Sequence, residues 1–388
     1  MYNILTLNKI SPVGLDRFDG GIYRCANEFE NPDAVLVRSA SMHETVLPAS
    51  LKAIARAGAG TNNIPVEACT EKGIVVFNTP GANANAVKEL VLAALLLSSR
   101  KIFPAMQWVQ TLKESDGDIT KQVEKGKGDF VGPEIMGKKL GVIGLGAIGI
   151  LVANAAEDLG MEVYGYDPYL SVDAAWGLSR TIHHAKSLGE IYENCDYITL
   201  HVPLTPETKG LVNSASIERM KHGVRILNFS RGDLVVDDDM LAALGDKLVR
   251  VYVTDFPSAK MIGHPGVLAI PHLGASTPES EDNCARMAAD ELIDYLENGN
   301  IVNSVNFPNV EMPRSTAVRV GVIHRNIPNM LTSITSAMAT LGINIDNLIN
   351  KSKKDNAYTL LDISGNFDEE SAKKLSAIEG IIRVQIYK

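Results

Sequence analysis

The sequence predicts an α/β protein built on a doubly wound parallel sheet, with a smaller βαββαβ unit at the C-terminus. Three observations predict it. An apolar run at Leu140–Ile143 turns through closely spaced glycines into a helix. Short apolar runs alternate with helical segments over most of the 388 residues. The last stretch reads strand, helix, strand, strand, helix, strand, the order of a split βαβ sandwich.

Residues 1 to about 98 alternate the apolar runs Ile4–Leu7, Ala34–Val37, Ala53–Ala55 and Ile74–Phe77 with turns and helices, which reads as a small α/β unit. Three loops follow its strands: Arg38-Ser39-Ala40, then Arg56-Ala57-Gly58-Ala59-Gly60-Thr61-Asn62, then Asn78-Thr79-Pro80-Gly81-Ala82-Asn83 before an apolar helix over Val87–Ser99. Ligands gather beyond the carboxyl ends of strands in open α/β sheets, so these loops are expected to line one crevice. Arginine suits bidentate recognition of carboxylate or phosphate. Either arginine alone reads as a solvated side chain; the glycines beside Arg56 leave room and free N–H groups for a ligand.

From about 100 to 274, strands are expected at Leu140–Ile143, Val163–Tyr166, Tyr197–Leu200, Arg225–Phe229, Arg250–Thr254 and Leu268–Ile270, with helices between most of them. The charged, glycine-rich stretch Glu114–Gly132 reads as a mobile excursion before the first of these. Gly144, Gly146 and Gly149 stand at GxGxxG spacing: the first permits a tight turn, the second admits a close backbone approach, and the third packs helix on strand. A pyrophosphate fits the exposed N–H groups of the helix that begins near Ile148. Asp167 closes the second strand, where a carboxylate accepts from a ribose diol and repels a 2′-phosphate, which favours NAD over NADP; a structural turn aspartate before Pro168 is the alternative. The whole is the pattern of a Rossmann-type cofactor domain.

Three later strand ends carry polar groups: Asn228-Phe229-Ser230-Arg231-Gly232, Thr254-Asp255-Phe256-Pro257 and Pro271-His272-Leu273-Gly274-Ala275-Ser276-Thr277. A guanidinium, a carboxylate and an imidazole beside a nicotinamide suit oxidation of a 2-hydroxy acid, with Arg231 on the substrate carboxylate, His272 taking the hydroxyl proton, and Asp255 orienting the carboxamide. His183, His184, His222 and His264 read as ordinary surface or packing residues. A long helix is expected over Pro278–Glu297, stopped by Gly299, returning to the first domain. After a linker around Pro308, Pro313 and Arg314, the C-terminal strands are expected at Ala317–Ile323, Ile343–Ile349, Tyr358–Ile363 and Ile381–Tyr387, with helices over Pro328–Leu341 and Glu369–Ile378.

Composition bounds the function. A net charge of −9 argues against non-specific binding to nucleic acid or an anionic membrane. The N-terminus lacks a basic region followed by an apolar core, the apolar stretch Leu90–Leu97 is too short to span a bilayer, and the four cysteines form no pairs or zinc-ligand cluster. A reduced, cytoplasmic setting without a metal fits these features.

These blocks, with Tyr166-Asp167-Pro168 and His201-Val202-Pro203-Leu204-Thr205, resemble the D-isomer-specific 2-hydroxyacid dehydrogenases over nearly the whole chain. The resemblance implies a discontinuous, flavodoxin-like substrate domain (1–98 plus 276–305) closing over an NAD domain (99–275), and a C-terminal ACT regulatory domain (316–388). It implies oxidation of 3-phospho-D-glycerate to 3-phosphooxypyruvate, the entry to serine synthesis. Arg231 and His272 match its catalytic positions. Cofactor positions match Gly144, Gly146, Ala147, Ile148, Gly149, Asp167, His201, Val202, Pro203, Thr208, Phe229, Asp255, His272 and Gly274. Substrate positions match Arg38, Ser39, Arg56, Gly58, Asn83 and Arg231, with the phosphate and carboxylate partners not distinguished. His324, Asn326 and Asn344 match an L-serine effector site, and Asn329 stands where the module has glycine; a purely assembling role for the module is the alternative. The resemblance also implies a homodimer or homotetramer. One departure stands out: Ala259 occupies the place of the glutamate that pairs with the catalytic histidine. Either His272 works alone, or another carboxylate such as Asp255 substitutes, or proton transfer is impaired.

Overall fold

Five parallel strands, β1 (Tyr2–Leu7), β2 (Tyr23–Ala26), β3 (Ala34–Val37), β4 (Ala53–Arg56) and β5 (Val75–Asn78), form the first sheet in the order β2-β1-β3-β4-β5. That is the flavodoxin-like order. β3 is buried at every residue, as a strand covered on both faces must be. Ile4, Leu36, Ala55 and Phe77 pack on the helix Pro278–Asn298 through Ala285, Ala288, Leu292 and Tyr295. The opposite face holds Val35, Val37, Ile54 and Val76 against Met42, Leu47 and Cys69. Gly299, at φ +72, ends the long helix. The computed structural model describes residues 1–388, and the chain separates into two compact units: Met1–Asn83 with Pro278–Lys388, and Ala84–Thr277.

The second unit is built on seven parallel strands, β6 (Lys139–Ile143), β7 (Glu162–Tyr166), β8 (His183–His184), β9 (Tyr197–Leu200), β10 (Val224–Asn228), β11 (Val249–Thr254) and β12 (Val267–Ala269). Their order is β12-β11-β10-β9-β6-β7-β8, so the chain builds outward from β6 on one side and then returns to build on the other. The reversal between β6 and β9 is the switch point at which such sheets hold ligands. The apolar helix expected at Val87–Ser99 spans Ala84–Arg100 and belongs to this unit, where Val87, Val91, Ala94 and Leu95 join the core with Leu140, Val142 and Leu227.

One stretch of this unit differs from the sequence reading. The Glu114–Gly132 stretch is structured: a helix at Ile119–Gly126 is capped by Asp118, and Gly126 fits beneath Trp108, whose ring meets Phe130 at 5.3 Å. His183 and His184 are exposed surface residues, as expected, and form the edge strand β8, with His183 held to Glu190 at 2.5 Å and tilted against Tyr164. A two-residue strand carries no period that a sequence pattern could reveal.

The C-terminal sheet is antiparallel, β13 (Val318–Arg325), β14 (Asn344–Lys353), β15 (Asn356–Ser364) and β16 (Ile381–Tyr387), in the order β14-β15-β13-β16. Helices Met330–Thr340 and Glu369–Ser376 supply Ile334, Met338 and Leu375 to the core on one face with Val320, Val322 and Leu361. Asn329 takes φ +67 ahead of the first of these helices, a left-handed conformation that asparagine tolerates. The other face packs on the long helix. Ile323, Tyr358, Leu360 and Tyr387 join the cluster around Tyr295 and Leu296 of the long helix, and so share the first compact unit.

An ion pair fixes this packing. Arg319 and Asp362 are both 0% exposed; the guanidinium bonds the carboxylate through Nε at 2.6 Å and Nη2 at 3.1 Å. Nη1 donates to the carbonyls of Asn298 and Met312, and Asp362 also accepts from the Ser315 N–H and hydroxyl. Burial alone raises the Asp362 carboxyl, but the bonds from Arg319 and Ser315 outweigh it and the net direction is down. No helix is long and apolar enough to cross a membrane. Asp362→Ala strands a buried guanidinium and is expected to cost about 3–5 kcal/mol in denaturant unfolding. The paired replacement Arg319→Met/Asp362→Leu is expected to recover most of that loss.

Candidate active site

The glycine run assigns a separate job to each glycine. Gly144, at φ +94, turns the chain out of β6, and its N–H donates to the Tyr166 carbonyl at 2.9 Å. A Cβ at Gly149 would lie 1.9 Å from the Gly144 carbonyl oxygen, so this position closes helix on turn. A Cβ at Gly146 would meet nothing within 4 Å: the backbone there faces open space. The helix Ala147–Asp158 begins at once, so the first-turn N–H groups of Ala147 and Ile148 have no acceptor within the helix. Asp167 at the end of β7 accepts from Leu145 N–H and Tyr169 N–H, each at 2.9 Å, which ties the turn to the strand and leaves lone pairs on both oxygens.

Beyond β9, His201 bonds Thr199 Oγ1 through Nε2 at 2.9 Å, while its Nδ1 is buried without a partner. Burial pushes this imidazole down to about 4, so it is neutral. Thr208 closes the following turn, donating to the Pro203 carbonyl at 2.6 Å and accepting from Thr205 N–H; Val202 is half-buried against the Gly144 turn. At the end of β10, buried Asn228 holds the next turn: Nδ2 donates to the Arg231 carbonyl and Oδ1 accepts from Ser230 N–H, while Ser230 Oγ donates to the Leu200 carbonyl. Phe229 is buried, and Arg231 is exposed, bonded only to the Ser230 carbonyl of its own turn.

Asp255, at the end of β11, is 2% exposed and neither carboxylate oxygen has a hydrogen-bond partner. Burial pushes this carboxyl up, against the opposing pull of His272, of the nearby Asp255 and Gly274 N–H groups and of Arg231. His272 is exposed, with its ring tilted at 47° over Phe256 and centroids 4.6 Å apart. No carboxylate bonds it: Ala259 offers none, Lys260 beside it pairs with Asp238, and Asp255 acts on it through space alone. Gly274 is buried, leaving space for Val87 and Asp255. No group of three or more His, Cys, Asp or Glu is placed to hold a metal.

In the other unit the three loops do come together. Ser39 and Ala40 N–H groups share Asn8 Oδ1, and Arg56 Nε donates to the Arg38 carbonyl at 3.0 Å. Asn78 Nδ2 donates to Ala59 O, and Thr79 N–H to Gly58 O. Gly58, at φ +150, lies under the Arg56 guanidinium, where a Cβ would approach to 1.8 Å. Arg38 pairs with Glu281 of the long helix at 2.7 Å. Asn83 is half-buried, and Thr79 is buried with its hydroxyl unpartnered. The sequence reading assigned Asn228, Thr79 and Phe256 no part. Their environment is made by residues distant in the chain, which a local pattern does not report.

The three effector positions do not meet within one chain. His324 is 2% exposed, with Nδ1 against the Arg325 carbonyl and Nε2 against Thr359 Oγ1. Asn326 beyond it donates to Lys354 O. Asn344 lies at the other end of the sheet: it pairs with Ser364 of β15, whereas His324 pairs with Ala357.

Residues 92–274 match the family model described as D-isomer specific 2-hydroxyacid dehydrogenase, NAD binding domain. D-3-phosphoglycerate dehydrogenase of Haemophilus influenzae is 32% identical over 339 residues, covering 84% of this chain and 79% of that protein. The chain belongs to the D-isomer-specific 2-hydroxyacid dehydrogenase family. The Escherichia coli K12 D-3-phosphoglycerate dehydrogenase is 33% identical over 340 residues, with the same two coverages. Among solved structures, the NAD+-bound 3-phosphoglycerate dehydrogenase of Entamoeba histolytica aligns at a TM-score of 0.60 and 27% identity, covering 79% of this chain and 98% of that one.

The cofactor of this dehydrogenase is NAD, and the second unit fits it. The open backbone at Gly146 and the unmatched N–H groups after it suit a pyrophosphate, and the orphaned Asp255 oxygens suit an amide donor. Gly146→Ala is expected to keep the wild-type Tm while losing NADH affinity at least tenfold in a fluorescence titration. Gly149→Ala is expected to lower Tm itself, because its methyl group strikes the Gly144 carbonyl.

Proposed function

We propose that this dehydrogenase oxidises 3-phospho-D-glycerate to 3-phosphooxypyruvate with NAD, the first step of serine synthesis. The observation that carries the reading is Arg231: an exposed guanidinium with no carboxylate partner, its turn locked by the Asn228 amide. A guanidinium left unpaired in that way is suited to a carboxylate that arrives with the substrate. The names of the relatives point to the same acid.

Arg231 binds the substrate carboxylate and draws charge from the carbon that becomes a carbonyl. His272 accepts the proton of the 2-hydroxyl and is held in place by Phe256 rather than by a carboxylate. NAD+, when bound, takes up the two electrons that leave with the hydrogen on that carbon. Asp255 holds the carboxamide through oxygens that no side chain meets. Asp167 receives the adenosine ribose, His201 and Thr208 border the cofactor, and Arg38, Ser39, Arg56, Gly58 and Asn83 form the substrate loops. Arg38 and Arg56 are the two cations of these loops, and the phosphate of the substrate falls to this pair.

The chain works as a homo-oligomer. Phe103 and Met106 on the helix Ile102–Thr111 are exposed, apolar surface that a second copy covers. L-serine acts as an inhibitor at a site that uses His324 and Asn326 of one copy with Asn344 of another, since one chain keeps them at opposite ends of its sheet.

NADH formation from 3-phospho-D-glycerate is expected to exceed that from D-glycerate and D-lactate at least a hundredfold in kcat/KM, and to fall with millimolar L-serine. His272→Asn is expected to lower kcat by about 10²–10⁴-fold. Turnover of the unphosphorylated acids alone makes this a dehydrogenase for another small D-2-hydroxy acid. NADH binding without turnover of any of them makes it an NAD(H)-sensing protein.

A further inference from the structure

The helix Pro278–Asn298 carries a carboxyl that the reaction does not employ. Glu291 is 8% exposed, with Oε1 accepting from Asn303 Nδ2 at 2.8 Å and Oε2 without any hydrogen-bond partner. It stands in the wall of a groove of about 600 Å³ that the helix forms with the Gly81–Ala82 and Val302–Asn303 segments. Met287 and Val302 give the groove apolar surface, and Arg286 gives it a cation held only by Asn283 at 3.3 Å.

An unmet acceptor on a buried carboxyl is costly, and a guest that supplies a donor and a positive charge removes the cost. A metal ion does not suit, because no three acidic or imidazole groups converge here. An ammonium does: it is compact, carries three donors and needs one anionic partner. The end torsion of a glutamate is soft, so the unpartnered oxygen turns into the groove with little strain.

We propose that Glu291 is the anchor of a binding site for a small ligand with a primary ammonium group, seated in this groove with its carbon skeleton on Met287 and Val302. Where the ligand is a zwitterion, Arg286 meets its carboxylate. The charged groups facing the site are Arg286, Asp290 and Asp294 on the same helix and Arg17, which pairs with Asp290; the Gly81–Ala82 and Val302–Asn303 segments bring no charge. Burial pushes the Glu291 carboxyl up to about 8, so at pH 7 it is mostly protonated and an arriving ammonium displaces the proton. Affinity therefore rises as pH rises through 8.

Hydrogen bonds connect this carboxyl to the substrate loop. Asn303, which Glu291 holds, accepts from Asn78 N–H through its carbonyl at 3.3 Å, and Asn78 Nδ2 donates to Ala59 O beside Arg56. A ligand on Glu291 thus alters the KM for the acid substrate; this consequence rests on the dehydrogenase reading, while binding does not.

The test is calorimetric titration of the full chain at pH 7 with ethylammonium chloride, glycine and sodium propionate, in two buffers of different ionisation enthalpy. Ethylammonium and glycine are expected to bind saturably with release of about one proton per ligand, propionate not to bind, and Glu291→Gln to weaken both at least tenfold. Val302→Trp fills the groove, leaves the carboxyl intact and is expected to abolish binding as well. Absence of saturable binding at tens of millimolar, binding without proton release, or undiminished affinity in both variants overturns the proposal. An enzymatically inactive chain that still binds ethylammonium leaves it standing.

Discussion

The second unit depends on one close approach, the seating of the Gly149 backbone on the Gly144 carbonyl. No side chain fits between them, so β6 and the helix that follows lie as near as main chains allow, and the turn between them is set. The helix start is thereby fixed beside the point where the strand order reverses. Asp167 reinforces the turn from β7 by taking the Leu145 N–H, so the residue proposed to receive the ribose also holds the glycine turn in shape. The turn-aspartate reading and the ribose reading of Asp167 are compatible, because a carboxylate has lone pairs enough for both.

Around this frame the strand ends leave buried polar groups unsatisfied. Asp255 with both oxygens, His201 with Nδ1 and Ser258 with its hydroxyl all lack partners. Such groups are expensive in a folded chain and are expected where a ligand completes them. The same logic orders the basic groups. Arg319 is fully matched inside the fold and holds structure, Arg38 is matched at the surface by Glu281, and Arg231 is matched only by a carbonyl of its own turn. The missing glutamate at Ala259 is not replaced by a neighbouring carboxylate; His272 takes its orientation from an aromatic face instead. In the proposed reaction its proton transfer is then less supported electrostatically than a hydrogen-bonded carboxylate would make it.

Much of this was legible in the sequence, for physical reasons. Parallel strands buried on both faces write continuous apolar runs, and the glycine spacing states a backbone geometry that side chains would forbid, so the inner strands of both parallel sheets and the cofactor turn could be read directly, while the edge strands β2 and β8, half-buried or exposed, could not. The βαββαβ order was legible from its periodicities. What could not be read is the partnering between distant segments. Arg319 and Asp362 lie far apart in the chain, and only the fold shows that they neutralise each other and fasten the C-terminal sheet to the long helix. The ordering of Glu114–Gly132 rests on Trp108 meeting Phe130 and on the space that Gly126 leaves for the indole, which charge and glycine content obscure. His324 and Asn344 match the expected effector positions in residue type, yet register alone reveals that one chain separates them.

The most direct measurement is the affinity of the purified chain for NADH and for NADPH, by fluorescence titration, with Asp167→Ala alongside. NADH is predicted to bind at least tenfold more tightly than NADPH, and the variant to lose most of that preference. Equal affinity for the two nucleotides in the wild type, or an undiminished preference in the variant, would contradict the assignment of the Gly144–Gly149 turn and Asp167 as the NAD cradle.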